Sequence, residues 1–124
     1  MGAPQAAVRR KVLIVDDNVD AAWLLSAFIS AHGHETAVAN SGADALAIAP
    51  EFDPEVVFLD LGMPEMSGYD VAQALREIPS LAHVYIAALT GWNDKATRER
   101  VATTGFNKHL TKPADVSIIL QLLD

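Results

Sequence analysis

The chain contains no cysteine and no long apolar run. Without cysteine there is no disulfide, no thiolate nucleophile and no thiolate metal site. No stretch approaches the roughly 18 consecutive apolar residues that a membrane span needs. These absences fit a reducing compartment, and we expect a cytoplasmic protein that has no membrane partner.

Basic residues are also scarce, with 9 Lys and Arg against 16 Asp and Glu and a net charge of −7. A general nucleic-acid binder needs clustered Lys and Arg to neutralise phosphates. Here only Arg9, Arg10 and Lys11 adjoin, and the other basic residues are scattered. We therefore expect no nucleic-acid partner.

The 124 residues, half of them hydrophobic, suffice for one domain with a proper core. The Ala-rich start lacks the charged-then-apolar layout of a signal peptide. We expect residues 1–9 to form a disordered leader and residues 10–124 to form the domain.

Short β-branched runs alternate with stretches of helical periodicity. Ser41 and Ser67 are placed to cap helices, Gly33 to end the first helix, and Pro50 to stop the second. Strands are predicted over residues 11–15, 35–39, 55–59, 84–89 and 106–110, and helices over 18–31, 42–49, 68–77, 94–104 and 114–123.

Five strands alternating with five helices predict an α/β protein, a (βα)5 unit with a five-stranded parallel sheet and helices on both faces. The flavodoxin-like strand order 2-1-3-4-5 is the natural choice at this length, because right-handed crossovers leave few topologies. This topology places ligands at the carboxyl ends of the strands.

Polar residues stand at four of those ends, and they are Asp16 with Asp17, Asp60, Thr90 and Lys112. Each has a plain alternative role, because aspartates cap helices or sit in turns, a threonine caps, and a lysine is solvated. Their joint occurrence at one edge of a sheet favours a shared site.

Three neighbouring carboxylates repel one another unless a cation or a proton relieves them. An all-oxygen, acid-rich site suits Mg²⁺, which takes one or two carboxylates, waters and phosphate oxygens. A carboxylate nucleophile, a divalent ion, the Lys112 ammonium and the Thr90 hydroxyl together suit phosphoryl transfer to an aspartate.

The sequence resembles the receiver domain of response regulators over nearly its whole length. The matching segments are VLIVDDN at 12–18, VVFLDLGMPEMSGYD at 56–70, AALTG at 87–91 and LTKP at 110–113. The resemblance implies a CheY-like signalling domain rather than a classical enzyme. It would accept phosphate from a sensor histidine kinase or a histidine phosphotransfer protein, dephosphorylate slowly, and act on a downstream protein.

The resemblance also implies a role for each residue of the acidic site. Asp60 would be the phospho-acceptor. Asp17, Asp60 and the Gly62 carbonyl would ligate Mg²⁺, and Asp16 would act through a metal-bound water.

On the phosphoryl side, the resemblance implies that Lys112 and Thr90 bind phosphoryl oxygens and that Thr90 moves on activation. It also implies a cis peptide before Pro113. His109 stands where the family usually has an aromatic switch residue. His109 either fills the volume of that aromatic residue or makes the switch sensitive to pH. In having a histidine at this position, the sequence also resembles receiver domains attached to hybrid sensor kinases.

Two tryptophans have alternative roles. Trp92, two residues past Thr90, either gates the site or covers apolar surface. Trp23, on the first helix, either docks the phosphodonor or packs on a neighbouring side chain.

Three other functions are alternatives to a phospho-accepting receiver domain. A haloacid-dehalogenase-type phosphatase needs a second acid two residues after the nucleophile, where this chain has Gly62. A flavodoxin needs a first loop rich in Ser, Thr and Gly, where this chain has Asp16 and Asp17. A binding module that keeps the fold but accepts no phosphate is the third rival, although every required group is present.

Overall fold

The computed structural model describes residues 9–92 and 94–124. Five strands form one parallel sheet in the order β2-β1-β3-β4-β5, as predicted. Their bounds are β1 Lys11–Val15, β2 Glu35–Ala39, β3 Val56–Asp60, β4 Tyr85–Thr90 and β5 Lys108–Thr111. The predicted leader lies outside the described residues apart from Arg9, so its disorder stays a prediction.

Five α-helices connect and follow the strands. They are α1 Val19–Ala31, α2 Gly42–Phe52, α3 Gly68–Arg76, α4 Lys95–Thr103 and α5 Val116–Leu123, with a 3-10 turn at Pro79–Leu81 before β4. Among the described residues, no helix is long and apolar enough to cross a bilayer.

Each α-helix is directly preceded by a residue whose side chain accepts a hydrogen bond from a backbone N–H of the first turn. Such caps satisfy donors that have no partner within the helix. The capping residues are Asn18, Ser41, Ser67, Asp94 and Asp115. The predicted caps Ser41 and Ser67 are confirmed.

The prediction that Pro50 stops the second helix is wrong, because α2 continues to Phe52. A proline in a helix removes one N–H donor and crowds the carbonyl four residues earlier. Only Glu51 and Phe52 follow Pro50 in the helix, and the N–H of Asp53 donates to the Ala49 carbonyl at 2.9 Å. The helix therefore closes past the proline and ends at Asp53, whose φ of 56° is left-handed.

Apolar side chains cover both faces of the sheet. Leu13, Val57 and Ile86 point toward α2 and α3, whereas Ile14 and Phe58 point toward α1 and α5, and all five are fully buried. This alternation follows from the period-two geometry of strands and confirms the predicted layers. Helix α1 buries Ala22 and Ile29, whereas Leu24 is 63% exposed.

Helix α4 is attached more lightly than the others, because Val101 is its one buried residue among those the structure describes. Val101 packs with Leu61 and Ala88, and Tyr69 and Phe106 border this small cluster.

Two arginines add polar attachments in the same region. The Arg76 guanidinium donates hydrogen bonds to the carbonyls of Ala82, Val84 and Gly105 and to the side-chain oxygen of Asn107. The Arg100 guanidinium stacks 3.7 Å from the centre of the Tyr69 ring. Arg76 thus ties the end of α3 to the turn between α4 and β5.

Candidate functional site

The carboxyl ends of β1, β3, β4 and β5 bring together all the strand-end residues singled out in the sequence. Asp60 is the last residue of β3 and Thr90 is the last residue of β4. Asp16 and Asp17 directly follow β1, and Lys112 directly follows β5. Since the strands are parallel, these positions share one edge of the sheet.

The three aspartates form a compact acidic cluster. One carboxylate oxygen of each of Asp16, Asp17 and Asp60 lies within 4.8 Å of the others. Asp16 and Asp60 are buried, at 3% and 7% exposed, whereas Asp17 is exposed. All donors in this set are oxygens, which is the chemistry that Mg²⁺ prefers.

Local hydrogen bonds orient the two buried acids. Oδ1 of Asp16 accepts the N–H of Asn18 at 2.9 Å, and Oδ1 of Asp60 accepts the N–H of Gly62 at 3.2 Å. The side-chain amide of Asn40 donates to the Asp16 carbonyl at 2.9 Å. Sequence reasoning missed Asn40, although it follows the end of β2 just as the other site residues follow their strands.

Lys112 joins the acids with an ammonium group. Its Nζ lies 3.1 Å from Oδ2 of Asp16 and 3.4 Å from Oδ1 of Asp60. Burial alone would lower the pKa of Lys112, but its hydrogen bond to Asp16 and the charges of Asp60 and Asp16 outweigh this, so the pKa is raised. Lys112 therefore carries a positive charge at neutral pH. The predicted cis peptide bond between Lys112 and Pro113 is present.

The pKa of Asp60 is raised above its usual value. Burial is the largest cause and the charge of Asp16 adds to it, whereas the Gly62 N–H and Lys112 act in the opposite direction. One lysine thus leaves this buried charge under-compensated, and an added cation would relieve it.

Thr90 is buried with its side chain at the same edge. Its Oγ1 accepts the N–H of Trp92 at 3.1 Å, which leaves the hydroxyl proton for another acceptor. The Trp92 side chain is 73% exposed beside the site.

Gly68 explains how α3 approaches the site so closely. A Cβ at this position would lie 2.5 Å from the Asp60 carbonyl oxygen and 2.8 Å from the Cα of Leu61. Both are backbone atoms of the segment that carries Asp60, so a larger residue would displace it. Gly68, which lies in the matching segment VVFLDLGMPEMSGYD, therefore has a packing role here.

His109 lies away from the acidic cluster, on β5 opposite Ala88 of β4. Because side chains alternate along a strand, the side chains of Ala88, Thr90 and His109 share the α4 face of the sheet. His109 is half-buried, and among the described residues its buried Nε2 has no hydrogen-bond partner.

A family model described as the response regulator receiver domain matches residues 12–124. The chain belongs to this family. This receiver domain is therefore a signalling domain of two-component systems, and receiver domains bind Mg²⁺ in an acidic pocket such as the one formed here by Asp16, Asp17 and Asp60.

Relatives and solved structures agree with this assignment. The polar-differentiation response regulator DivK of Brucella ovis is 32% identical over 114 residues, which cover 92% of this chain and 93% of DivK. The chemotaxis protein CheY4 of Vibrio cholerae has a similar structure, with a TM-score of 0.87, 28% identity, and coverage of 94% of this chain and 97% of that one.

A third similar structure contains a partner protein. It is the receiver domain of Ssk1 from Saccharomyces cerevisiae, crystallised with the histidine phosphotransfer protein Ypd1. It matches with a TM-score of 0.86 and 29% identity, covering 96% of this chain and 89% of that one.

Proposed function

We propose that Asp60 accepts a phosphoryl group from a phosphohistidine on a sensor histidine kinase or a histidine phosphotransfer protein. The observation that carries this proposal is the position of the Asp60 carboxylate. It is buried at the end of β3, 3.4 Å from the Lys112 ammonium and within 4.8 Å of two other acids. Burial of a carboxylate beside two other acids lowers stability, and such arrangements are typical of functional sites.

In the transfer, a carboxylate oxygen of Asp60 attacks phosphorus as the phosphorus–nitrogen bond to the donor histidine breaks. The electron pair of that bond stays with the imidazole, and the product on Asp60 is an acyl phosphate. Within residues 9–92 and 94–124, only Oδ1 of Asp60 is engaged, by Gly62 and Lys112. Oδ2 is therefore the proposed nucleophile.

The acid cluster fits a magnesium ion. Asp17, Asp60 and the Gly62 carbonyl would hold it directly, and Asp16 would act through a bound water. When bound, Mg²⁺ supplies positive charge that offsets both the crowded carboxylates and the phosphoryl oxygens.

Lys112 and Thr90 would receive the phosphoryl oxygens. Lys112 already offers an ammonium at the acceptor carboxylate, and the Thr90 hydroxyl retains a proton to donate. Slow hydrolysis then follows when water attacks phosphorus, which releases inorganic phosphate and restores the Asp60 carboxylate. The domain modifies itself in this way rather than turning over a substrate as a classical enzyme does.

Thr90 and His109 form the proposed switch. Their side chains share one face of the sheet, because His109 pairs with Ala88, which is two residues before Thr90 on β4. A movement of Thr90 toward a phosphoryl oxygen would open space that the half-buried imidazole enters. Phosphorylation would then shift a two-state equilibrium that a downstream protein reads.

The surface of α1 is the proposed docking site for the phosphodonor. Val19, Trp23 and Leu24 are more than 60% exposed there, and such apolar side chains commonly anchor interfaces. A groove of about 600 Å³ runs from Leu24 past Asp16 to Val116 at the start of α5. The receiver domain of Ssk1, which was crystallised with the phosphotransfer protein Ypd1, provides a parallel for docking of this kind.

We also propose that the domain acts in the cytoplasm, a reducing compartment that suits a chain without cysteine.

The direct test is incubation with a small phosphodonor and Mg²⁺, followed by intact mass measurement. We expect one phosphoryl adduct on the wild type, none on Asp60→Asn, and an unchanged adduct on Asp44→Asn, whose carboxylate is exposed on α2. If the wild type binds Mg²⁺ but gains no adduct, the domain is a binding module that no longer accepts phosphate.

A further inference from the structure

Asn40 is the first residue after β2, and its side chain reaches the end of the neighbouring strand β1. The side-chain amide donates a hydrogen bond to the backbone carbonyl of Asp16 at 2.9 Å. The N–H of Asp16 donates in turn to the carbonyl of Ala39 at 3.0 Å. The backbone of Asp16 is therefore held through both its N–H and its carbonyl by two consecutive residues at the end of β2.

The hydrogen bond of Asn40 is not needed to begin the helix that follows. Helix α2 is capped by the next residue, Ser41, whose Oγ accepts the N–H of Asp44 at 3.0 Å. The amide of Asn40 instead bonds to a residue 24 positions earlier in the chain. Because the acceptor is a carbonyl, only a side chain with an N–H or O–H donor can fill this role.

The position of Asp17 depends on the same peptide group. The Asp16 carbonyl and the Asp17 N–H belong to one planar unit, so holding that carbonyl constrains the direction in which Asp17 leaves the strand end. Asp17 is exposed, and its carboxylate has no hydrogen bond or ion pair in the part of the chain that the structure describes. It nevertheless lies within 4.8 Å of carboxylate oxygens of Asp16 and Asp60. Like charges repel, so support from the backbone must keep Asp17 in the cluster when no cation is bound.

We propose that Asn40 is a positioning residue for the cation site, which holds the peptide between Asp16 and Asp17 so that the Asp17 carboxylate faces the ion. The inference rests on the proposed function, in which Asp17 ligates Mg²⁺. Mg²⁺ demands near-ideal octahedral geometry, whereas Ca²⁺ accepts a flexible one. Loss of the Asn40 hydrogen bond should therefore weaken Mg²⁺ binding more than Ca²⁺ binding.

The test compares Mg²⁺ and Ca²⁺ affinities, measured by isothermal titration calorimetry, between the wild type and Asn40→Leu. Leucine keeps the branched shape of asparagine but has no donor. We expect Mg²⁺ binding to weaken by about ten-fold, the lower end of the usual cost of losing a residue that orients a metal ligand, and Ca²⁺ binding by about two-fold. Asn40→Ala, which removes the same donor without adding apolar surface, should behave in the same way.

A second readout needs no metal. In EDTA, the Asp17 amide signal in a ¹⁵N–¹H nuclear magnetic resonance spectrum should move in Asn40→Leu, because this N–H shares its peptide group with the Asp16 carbonyl. The matched control is Ser41→Ala, which removes the α2 cap from the adjacent residue and lowers stability without touching Asp16. It should leave both affinities and the Asp17 signal unchanged.

An unchanged Mg²⁺ affinity in Asn40→Leu, or equal losses of Mg²⁺ and Ca²⁺ affinity, would overturn the proposal. So would a loss of Mg²⁺ affinity in Ser41→Ala as large as that in Asn40→Leu. A wild type that binds no Mg²⁺ would overturn both this inference and the proposed metal site. By contrast, a wild type that binds Mg²⁺ but gains no phosphoryl adduct would contradict phosphoryl transfer to Asp60 and leave the Asn40 comparison intact.

Discussion

The charge balance at Asp60 predicts that Asp60→Asn is more stable than the wild type when Mg²⁺ is absent. The carboxylate oxygens of Asp60 and Asp16 lie within 4.8 Å of each other, so with an effective dielectric constant of about 20 their repulsion amounts to about 3.5 kcal/mol or slightly more. The exposed Asp17 adds about 1 kcal/mol, because water screens it more strongly. The attraction between the Asp60 carboxylate and the Lys112 ammonium, which are 3.4 Å apart, stabilises the folded state by about 5 kcal/mol.

These interactions nearly cancel, so the cost of removing the Asp60 charge from water remains. The raised pKa of Asp60, caused first by burial, has the same direction. Asparagine keeps an oxygen that accepts the Gly62 N–H but carries no charge. We therefore expect the substitution to raise the free energy of unfolding by about 1–3 kcal/mol in EDTA. The midpoint of thermal unfolding should rise by roughly 3–6 °C for each kcal/mol at this chain length.

The assay is urea unfolding followed by circular dichroism, in EDTA and in saturating MgCl₂. Mass action stabilises the wild type by about 2.7 kcal/mol when the free ion is at 100 times its dissociation constant. The variant, with one ligand fewer, should gain less, so the two proteins should converge or change order in Mg²⁺. Glu51→Gln, an exposed substitution on α2, should stay within about 0.5 kcal/mol of the wild type. A variant less stable than the wild type in EDTA would refute the reasoning.

Three further predictions concern stability measured by urea unfolding. The Nδ1 of His34 accepts the N–H of Arg10 at 3.0 Å, and burial, then the charge of Arg10, lowers the pKa of His34 below 6.5. Below pH 6.5 the unfolded chain binds a proton at His34 more readily than the folded chain does, so the free energy of unfolding should fall as the pH drops through 6.5. His34→Gln should reduce this dependence of stability on pH. An equal pH dependence in the variant and the wild type would contradict the prediction. Gly68→Ala should lower the free energy of unfolding by about 1–3 kcal/mol, because the added Cβ would overlap backbone atoms. Gly91→Ala should leave stability nearly unchanged, because its Cβ would enter open space. Similar losses in the two variants would show that the backbone at Gly68 relaxes. Arg76→Gln should lower the free energy of unfolding by about 1–3 kcal/mol, because the part-buried carbonyls of Ala82 and Val84 lose their donor. A loss below about 0.5 kcal/mol would mean that water replaces the guanidinium.

The order of the elements and the location of the site followed directly from the sequence. Strand ends in a parallel sheet share one edge, so Asp16, Asp60, Thr90 and Lys112 had to meet once the strands were assigned. Chain-local chemistry also identified the caps at Ser41 and Ser67, since a capping side chain bonds within its own first turn.

Features that depend on packing did not follow from the sequence. Whether Pro50 ends α2 depends on the turn that Asp53 closes beyond it, which a proline rule does not include. The exposure of Leu24 depends on the exact rotation of α1 against the sheet. No residue close to Arg76 in the sequence indicates its role, because its acceptors lie 6 to 31 residues further along the chain.

The light attachment of α4 has a consequence for how the domain opens. Burial of one valine contributes only about 1.5–3 kcal/mol, less than the 5–15 kcal/mol that holds a typical native domain together. Amide hydrogens of α4 should therefore exchange with solvent through openings that leave the central strands β1, β3 and β4 intact. In this molecule the strands that carry Asp60 and Thr90 and the helix that carries Val101 therefore belong to regions of different cooperative stability.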